Sequence, residues 1–365
     1  MALNKTAHVG GNDHGYRTVV AARFSAIGDV AIALPVIYSA CHAYADVNFV
    51  FVTRPSMASF FINRPANLTV VGVDVKADEY RGVGGMRRLV NELTAQYHPD
   101  VFLDLHDVLR TRLMGLFFRL KGIGTFRIKK YRRQRRRLTR SRAKVMLPMP
   151  SATDRYTEVF YHAQMPLDDT FDGLFGANKR GDETAFSVIT APKAAGCRWV
   201  GIAPYAAHLG KVYPITRMEQ VVKRLSQHPD IHIFLFGGGG DEKLTLEAWE
   251  RLYPNVTSLS GKKYGFPTEL ALLSHLDVMV SMDSANMHLA SLVNTRVISV
   301  WGATHPYCGF LGRHQDGDDV IQTALRCRPC SVFGQKPCRY EDYRCLTTIS
   351  ESTIYNKIIE ALQPR

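Results

Sequence analysis

Asp283, Ser284 and His288 are the residues of this chain best placed to handle a ligand. An apolar run over 276–282 ends at Asp283-Ser284, a helical pattern containing His288 follows, and a second apolar run over 297–301 closes on Gly302. This reads as strand, polar turn, helix, strand. In open α/β sheets ligands bind at the carboxyl ends of strands, and a helix N-terminus there favours anions. Asp283 can accept hydrogen bonds from sugar hydroxyls, while Ser284 and the amides after it can donate to phosphate. His288 falls about one helical turn further on, near the same crevice. A plain helix cap would explain Asp283 or Ser284 equally well when the pair is taken alone.

Two further segments carry similar chemistry. The first strand runs into Arg23-Phe24-Ser25-Ala26-Ile27-Gly28-Asp29, which sets an acid at or near a helix N-terminus. A carboxylate there is held in its proton-accepting form and suits a general base whose advantage is position; a helix cap is the bland alternative. Lys211 sits in a loop between Gly210 and Pro214 and offers a point charge for a diphosphate. The glycines 237–240 open a helix that carries Glu242, which reaches a ribose hydroxyl or merely complements the helix dipole. The dinucleotide fingerprint is not convincingly present, and Gly210-Lys211 is followed by Val212, so no P-loop exists. Neither a serine-hydrolase elbow nor an HExxH zinc motif occurs. Cys327, Cys330, Cys338 and Cys345 have the spacing C-x2-C-x7-C-x6-C. They could enclose a structural Zn²⁺, or stand as reduced thiols or labile disulfides in a compact loop.

The elements that must position these groups alternate between strand and helix patterns. Residues 18–24, 48–53, 68–73 and 100–105 read as strands in the first half, and 30–45, 85–97, 110–120 and 154–164 as helices. The alternation restarts with strands at 199–203, 231–236 and 256–259 and helices at 216–227, 241–252 and 267–274. Two such runs across a polar linker predict two Rossmann-like domains with mostly parallel sheets facing a central cleft. The expected division is a flexible tail over 1–16, an N-terminal domain over 17–166, a linker over 167–196, a C-terminal domain over 197–349, and a terminal helix over 350–365.

Charge is distributed unevenly. The chain of 365 residues has a formal net charge of +13. Between Arg110 and Lys144 lie 15 Lys and Arg with no Asp or Glu, leaving 31 basic against 33 acidic residues elsewhere. The densest part is an insert over 127–144 in the N-terminal domain, with Arg132, Arg133, Arg135, Arg136 and Arg137 at its heart. Such a run fits nucleic acid, an anionic membrane face or a phosphorylated acceptor; a solvated loop without a partner is the bland alternative. No segment reaches the roughly 20 apolar residues of a membrane span. Seven cysteines without an export signal fit a reducing, cytoplasmic setting.

Three motifs in order, Arg23-x-Ser25-x-x-Gly28-Asp29, Lys211-x-Tyr213-Pro214, and Asp283-Ser284-x-x-x-His288-Leu289-Ala290 running to Trp301-Gly302, resemble glycosyltransferase family 9, the ADP-heptose:lipopolysaccharide heptosyltransferases. The resemblance implies a GT-B architecture, with the acceptor on the N-terminal side and the nucleotide-sugar donor on the C-terminal side. It implies an inverting, metal-independent transfer of heptose or a related sugar to a lipopolysaccharide core or similar lipid-linked acceptor, at the cytoplasmic face of the inner membrane. By position, Asp29 would be the general base, Lys211 would neutralise the diphosphate, Glu242 would bind the ribose, and Asp283, Ser284 and His288 would line the donor pocket. No cofactor is then required. Two departures stand out: Ala285 where the family often has Gly, and Ala206-Ala207 where relatives often offer hydroxyls. The contrasting readings are a polyanion or nucleic-acid binder acting through the insert, and another nucleotide-sugar enzyme such as an epimerase. The insert has little aromatic character beyond Tyr131, so nucleic acid is not the expected partner.

Overall fold

A computed structural model describes residues 15–363. The N-terminal tail expected over 1–16 therefore lies almost wholly outside the described residues. In chain order the first half runs β1 (Thr18–Ala22), α1 (Ile27–Ala43), β2 (Asn48–Thr53), α2 (Pro55–Ala58), β3 (Leu68–Gly72), α3 (Gly82–Tyr97), β4 (Val101–Asp104), α4 (Leu109–Leu120), β5 (Gly124–Arg127), α5 (Arg132–Thr139) and α6 (Ala152–His162). The second half runs β6 (Arg198–Ala203), α7 (Ile215–Leu225), β7 (Ile231–Leu235), α8 (Asp241–Leu252), β8 (Val256–Ser258), α9 (Phe266–Leu273), β9 (Val278–Met282), α10 (Ala285–Leu292), β10 (Val297–Trp301), β11 (Val320–Gln322), α11 (Arg344–Thr347) and α12 (Glu351–Ala361).

The chain forms two compact units, and the division does not follow the expected linker. Among the described residues, one unit holds 15–130 and 152–172, the other 131–151 and 173–363. The basic insert thus changes sides at Tyr131: the sequence puts it in the N-terminal domain, whereas α5 belongs to the second unit. Its anchor is apolar. Leu138 is buried with Met149 and Cys308, and Tyr131, Phe310 and Val332 pack around them. Much of the expected linker is also built into the second unit, where Phe186 is fully buried against Trp199 and His275. The terminal helix α12 packs on the second unit's core through Ile354 and Ile358.

Each unit is an α/β sheet of wholly parallel strands. The first has the order β3-β2-β1-β4-β5, the second β11-β10-β9-β6-β7-β8. Every residue of β1, β4, β9 and β10 is buried, as continuous apolar runs between helical layers require. Both sheets start at a central strand, build outward on one side, then cross back and build on the other. Strand order reverses between β1 and β4 in the first unit and between β6 and β9 in the second. Such reversals open a crevice beyond the strands' carboxyl ends.

Candidate functional site

In the first unit the reversal point is flanked by the segments that follow β1 and β4. Asp29 occupies the third position of α1, and its Oδ2 accepts the amide of Ala26 at 3.1 Å. The same oxygen lies 2.7 Å from Nη2 of Arg23, a buried guanidinium that also donates to the Leu105 carbonyl at 2.6 Å and lies over the Tyr156 ring. Asp29 is therefore both a helix cap and an ion-pair partner, held from two sides at the end of β1.

His106 enters from the β4 side, with Nε2 3.3 Å from the Ser25 hydroxyl. Burial, and secondarily the Arg23 guanidinium, pushes its pKa down to about 3, so the ring is neutral. Asp104 shapes this turn by accepting the amides of His106 and Asp107 at 2.9 and 2.8 Å. Asp107 in turn collects Arg112 at 2.7 Å, Arg127 at 3.3 Å and Lys130 at 3.7 Å. Three cations around one carboxylate leave this edge basic.

In the second unit the carboxyl ends of β6, β9 and β10 are neighbours, and each delivers one group. Lys211 follows β6, and its Nζ lies 3.0 Å from Oδ2 of Asp283, which follows β9. Thr304 follows β10 and donates to that same oxygen at 2.8 Å. The loops bearing these groups meet through glycines. A Cβ on Gly302 would stand 2.4 Å from the Gly210 carbonyl oxygen, and one on Gly334 would stand 2.5 Å from the Lys211 stem.

Ser284 takes the N-cap position of α10, yet its hydroxyl makes no cap; it faces the Ser281 hydroxyl at 3.2 Å. The first amides of α10 are thus not taken up by that side chain. Ala285 begins a regular helix and has no positive φ, so the family's usual glycine is not needed here for backbone freedom. His288 is buried in the same helix. Glu242, in the first turn of α8, accepts the Gly238 amide at 2.6 Å and so folds over its own glycine loop.

The remaining expected residues are placed differently. Arg132, Arg133, Arg136 and Arg137 line one surface hollow together with Arg140. Arg135 turns away and lies over the Phe333 ring at 5.2 Å. The four cysteines weighed as a zinc site or as reduced thiols are free thiols, and Cys345 is buried in the second unit's core. Burial pushes the Cys345 thiol up to about 11. Among the described residues, no three His, Cys, Asp or Glu side chains are grouped to hold a metal ion.

Thr304, Arg328 and His106 are contributors that the motifs did not reveal. Thr304 follows Trp301-Gly302 so closely that the strand-end position was its one available signal. Arg328 makes only main-chain and amide contacts, which no spacing rule announces.

The profile of "Glycosyltransferase family 9 (heptosyltransferase)" matches residues 86–343, a range that includes Lys211, Glu242, Asp283 and His288. The chain belongs to glycosyltransferase family 9. Over 111 residues this family 9 chain is 32% identical to lipopolysaccharide heptosyltransferase 3 of Escherichia coli, a stretch covering 30% of this chain and 32% of that protein. The match therefore spans about a third of that relative's length. Among solved structures, the glycosyl transferase family 9 protein from Veillonella parvula superposes with a TM-score of 0.70 at 15% identity, covering 95% of this chain and 97% of that one. The E. coli heptosyltransferase WaaC, solved with ADP, gives a TM-score of 0.63 at 15% identity, covering 94% and 99%. These likenesses establish the GT-B fold for this family 9 member.

Proposed function

We propose that this protein is an inverting heptosyltransferase of lipopolysaccharide core assembly, moving heptose or a related sugar from ADP-heptose to a phosphorylated, acidic glycolipid. The observation that carries the reading is the convergence of Lys211, Asp283 and the α10 N-terminus at the strand-order reversal of the second unit. A fixed cation beside helix amides suits a nucleoside diphosphate, and WaaC, a structural neighbour, was solved with ADP.

The acceptor hydroxyl oxygen forms the new bond to the anomeric carbon while the bond from that carbon to the diphosphate oxygen breaks on the opposite face. The hydroxyl proton passes to Asp29, whose carboxylate Arg23 and the Ala26 amide hold in place. ADP departs with the bonding pair, and Lys211 with the α10 amides neutralises the charge that develops. Glu242 binds the ribose, with Ser284 and His288 lining the donor pocket. The chemistry balances without a metal or redox cofactor.

The arginines of α5 support an anionic acceptor and attachment to the inner face of the inner membrane. At 100° per residue Arg132, Arg133, Arg136 and Arg137 share one face, opposite the buried Leu138, and Arg140 just past the helix end lines the same hollow. Tyr131 packs into the apolar cluster beneath that face, so it offers no stacking platform for bases. Among the described residues no helix is long and apolar enough to cross a membrane; in this reading the arginine face is the attachment.

Calorimetric titration with ADP, UDP, GDP and NAD tests the donor side. Selective ADP binding, weakened at least about tenfold by Lys211→Ala, is expected. Preference for UDP or GDP would replace the sugar donor, and tight NAD binding would favour an epimerase. Asp29→Ala should abolish transfer while leaving ADP affinity nearly unchanged; near-normal turnover would remove Asp29 as the base.

A further inference from the structure

Asp283 is set in place from behind. Thr304 is fully buried, and its hydroxyl donates to Asp283 Oδ2 at 2.8 Å. With Lys211 on the same oxygen at 3.0 Å, Oδ1 is the oxygen left for a ligand. The Thr304 carbonyl in turn accepts Nη2 of Arg328 at 2.9 Å. Arg328 is 4% exposed and donates also to the carbonyls of Gly302 and Thr323 and to the Gln322 amide oxygen. All four acceptors are neutral. Among the described residues no carboxylate stands within ion-pair distance of this guanidinium.

A buried cation without a carboxylate is costly, and an apolar side chain of similar volume would serve folding as well or better. What Arg328 does achieve is a rigid span across the ends of β10 and β11, bracketing residues 302–304. The rest of that bracket is equally firm. The Ala303 amide donates to the Gly210 carbonyl at 2.7 Å, and its own carbonyl accepts the Cys330 amide at 3.0 Å. Lys144 clamps the carbonyls on either side of Arg328, those of Cys327 and Pro329, at 2.7 and 2.8 Å.

We infer that Thr304 is a positioning residue for the Asp283 carboxylate, and that Arg328 is the strut that keeps Thr304 in register. Thr304 is fully buried and does not itself face the crevice. It fixes which carboxylate oxygen faces Lys211 and which faces the crevice, and so deepens the proposed donor site on which this inference rests.

The test is ADP titration calorimetry with thermal melting alongside, on Thr304→Val, Thr304→Ser, Arg328→Met, Asp283→Ala and Lys211→Ala. Thr304→Val should weaken ADP binding about tenfold or more while the fold persists, and Thr304→Ser should restore it to within about threefold. A packing defect would instead harm Thr304→Ser, which loses a methyl group, at least as much as the isosteric Thr304→Val. Arg328→Met should reproduce the loss in a folded chain, and it decides the matter if valine at 304 does not fold. Normal ADP binding by Thr304→Val and Arg328→Met, beside weakened binding by Asp283→Ala and Lys211→Ala, would overturn the inference alone. Equal loss in Thr304→Ser and Thr304→Val would also overturn it. Normal binding by all five would instead overturn the donor-site reading.

Discussion

Lys211 and Asp283 form a nearly buried ion pair, with Nζ 3.0 Å from Oδ2 and side chains 15% and 6% exposed. Removing one partner strands the other in a low-dielectric setting, which typically costs about 3–5 kcal/mol, whereas replacing both costs far less. Lys211→Met and Asp283→Asn should each lower the melting temperature of the second unit. The double variant should melt above the sum of the single losses, and a double-mutant cycle by thermal or urea unfolding measures the difference.

Acid should weaken the first unit through His106. Its pKa is about 3 in the fold, against 6.5 for an ordinary histidine, so below pH 6.5 the unfolded chain binds a proton that the folded chain refuses. The stability that the neutral ring contributes is complete above 6.5 and declines as pH falls toward 3, at about 1.4 kcal/mol per pH unit. Urea titrations at pH 7, 6 and 5 should show this slope in the wild type and a flatter one in His106→Gln.

Glu269 should act in the opposite direction in the second unit. Burial raises its carboxyl from 4.5 to about 7, so the folded state favours the protonated form. Its contribution is intact below pH 4.5 and is lost as pH rises toward 7. Glu269→Gln, which keeps shape without charge, should raise the melting temperature at pH 7.5 and leave it nearly unchanged at pH 4.5.

The close approach of Gly302 to the Gly210 carbonyl leaves no room for a methyl group, since an added Cβ would sit 2.4 Å from that oxygen. Gly302→Ala should push the Lys211 loop away from the end of β10. ADP affinity should fall about tenfold or more, as expected when a charged hydrogen-bonding group is misplaced; calorimetry reads the change directly.

Helix α5 carries like charges at successive i, i+3 and i, i+4 positions, each pair costing about 0.2–0.5 kcal/mol. Tertiary anchoring at Leu138 must offset that repulsion. Hydrogen exchange over 132–139 should slow as phosphate or salt is added, and should quicken in Leu138→Ala, with ADP binding unaffected.

Elements with strong periodicity were legible in the sequence: 48–53, 241–252 and 297–301 match β2, α8 and β10 to the residue. Others were not. Strand β5 is four residues of mixed burial, and β11 is three, too short for alternation to register. Helix α5 was hidden because the repulsion among its arginines, judged locally, disfavours a helix; Met149 and Cys308, remote in sequence, hold it. The same distinction runs through the candidate site. Lys211 and Asp283 stand in motifs, but their contact spans 72 positions of sequence and depends on β6 and β9 being neighbours. Arg23 stood inside a quoted motif without a role, because nothing local reveals that its guanidinium turns back onto Asp29.

The two sheets are wound by one scheme, a central strand first, two strands to one side, then the crossing. Each crevice is therefore dressed by loops that belong to its own unit and carry no strand-pairing duty. Substitutions after β1 and β4 can remodel one crevice while the loops after β6, β9 and β10 stay as they are, and the reverse holds equally. A chain organised this way can diversify its two crevices at separate rates, with the β-sheets as the unchanging inheritance.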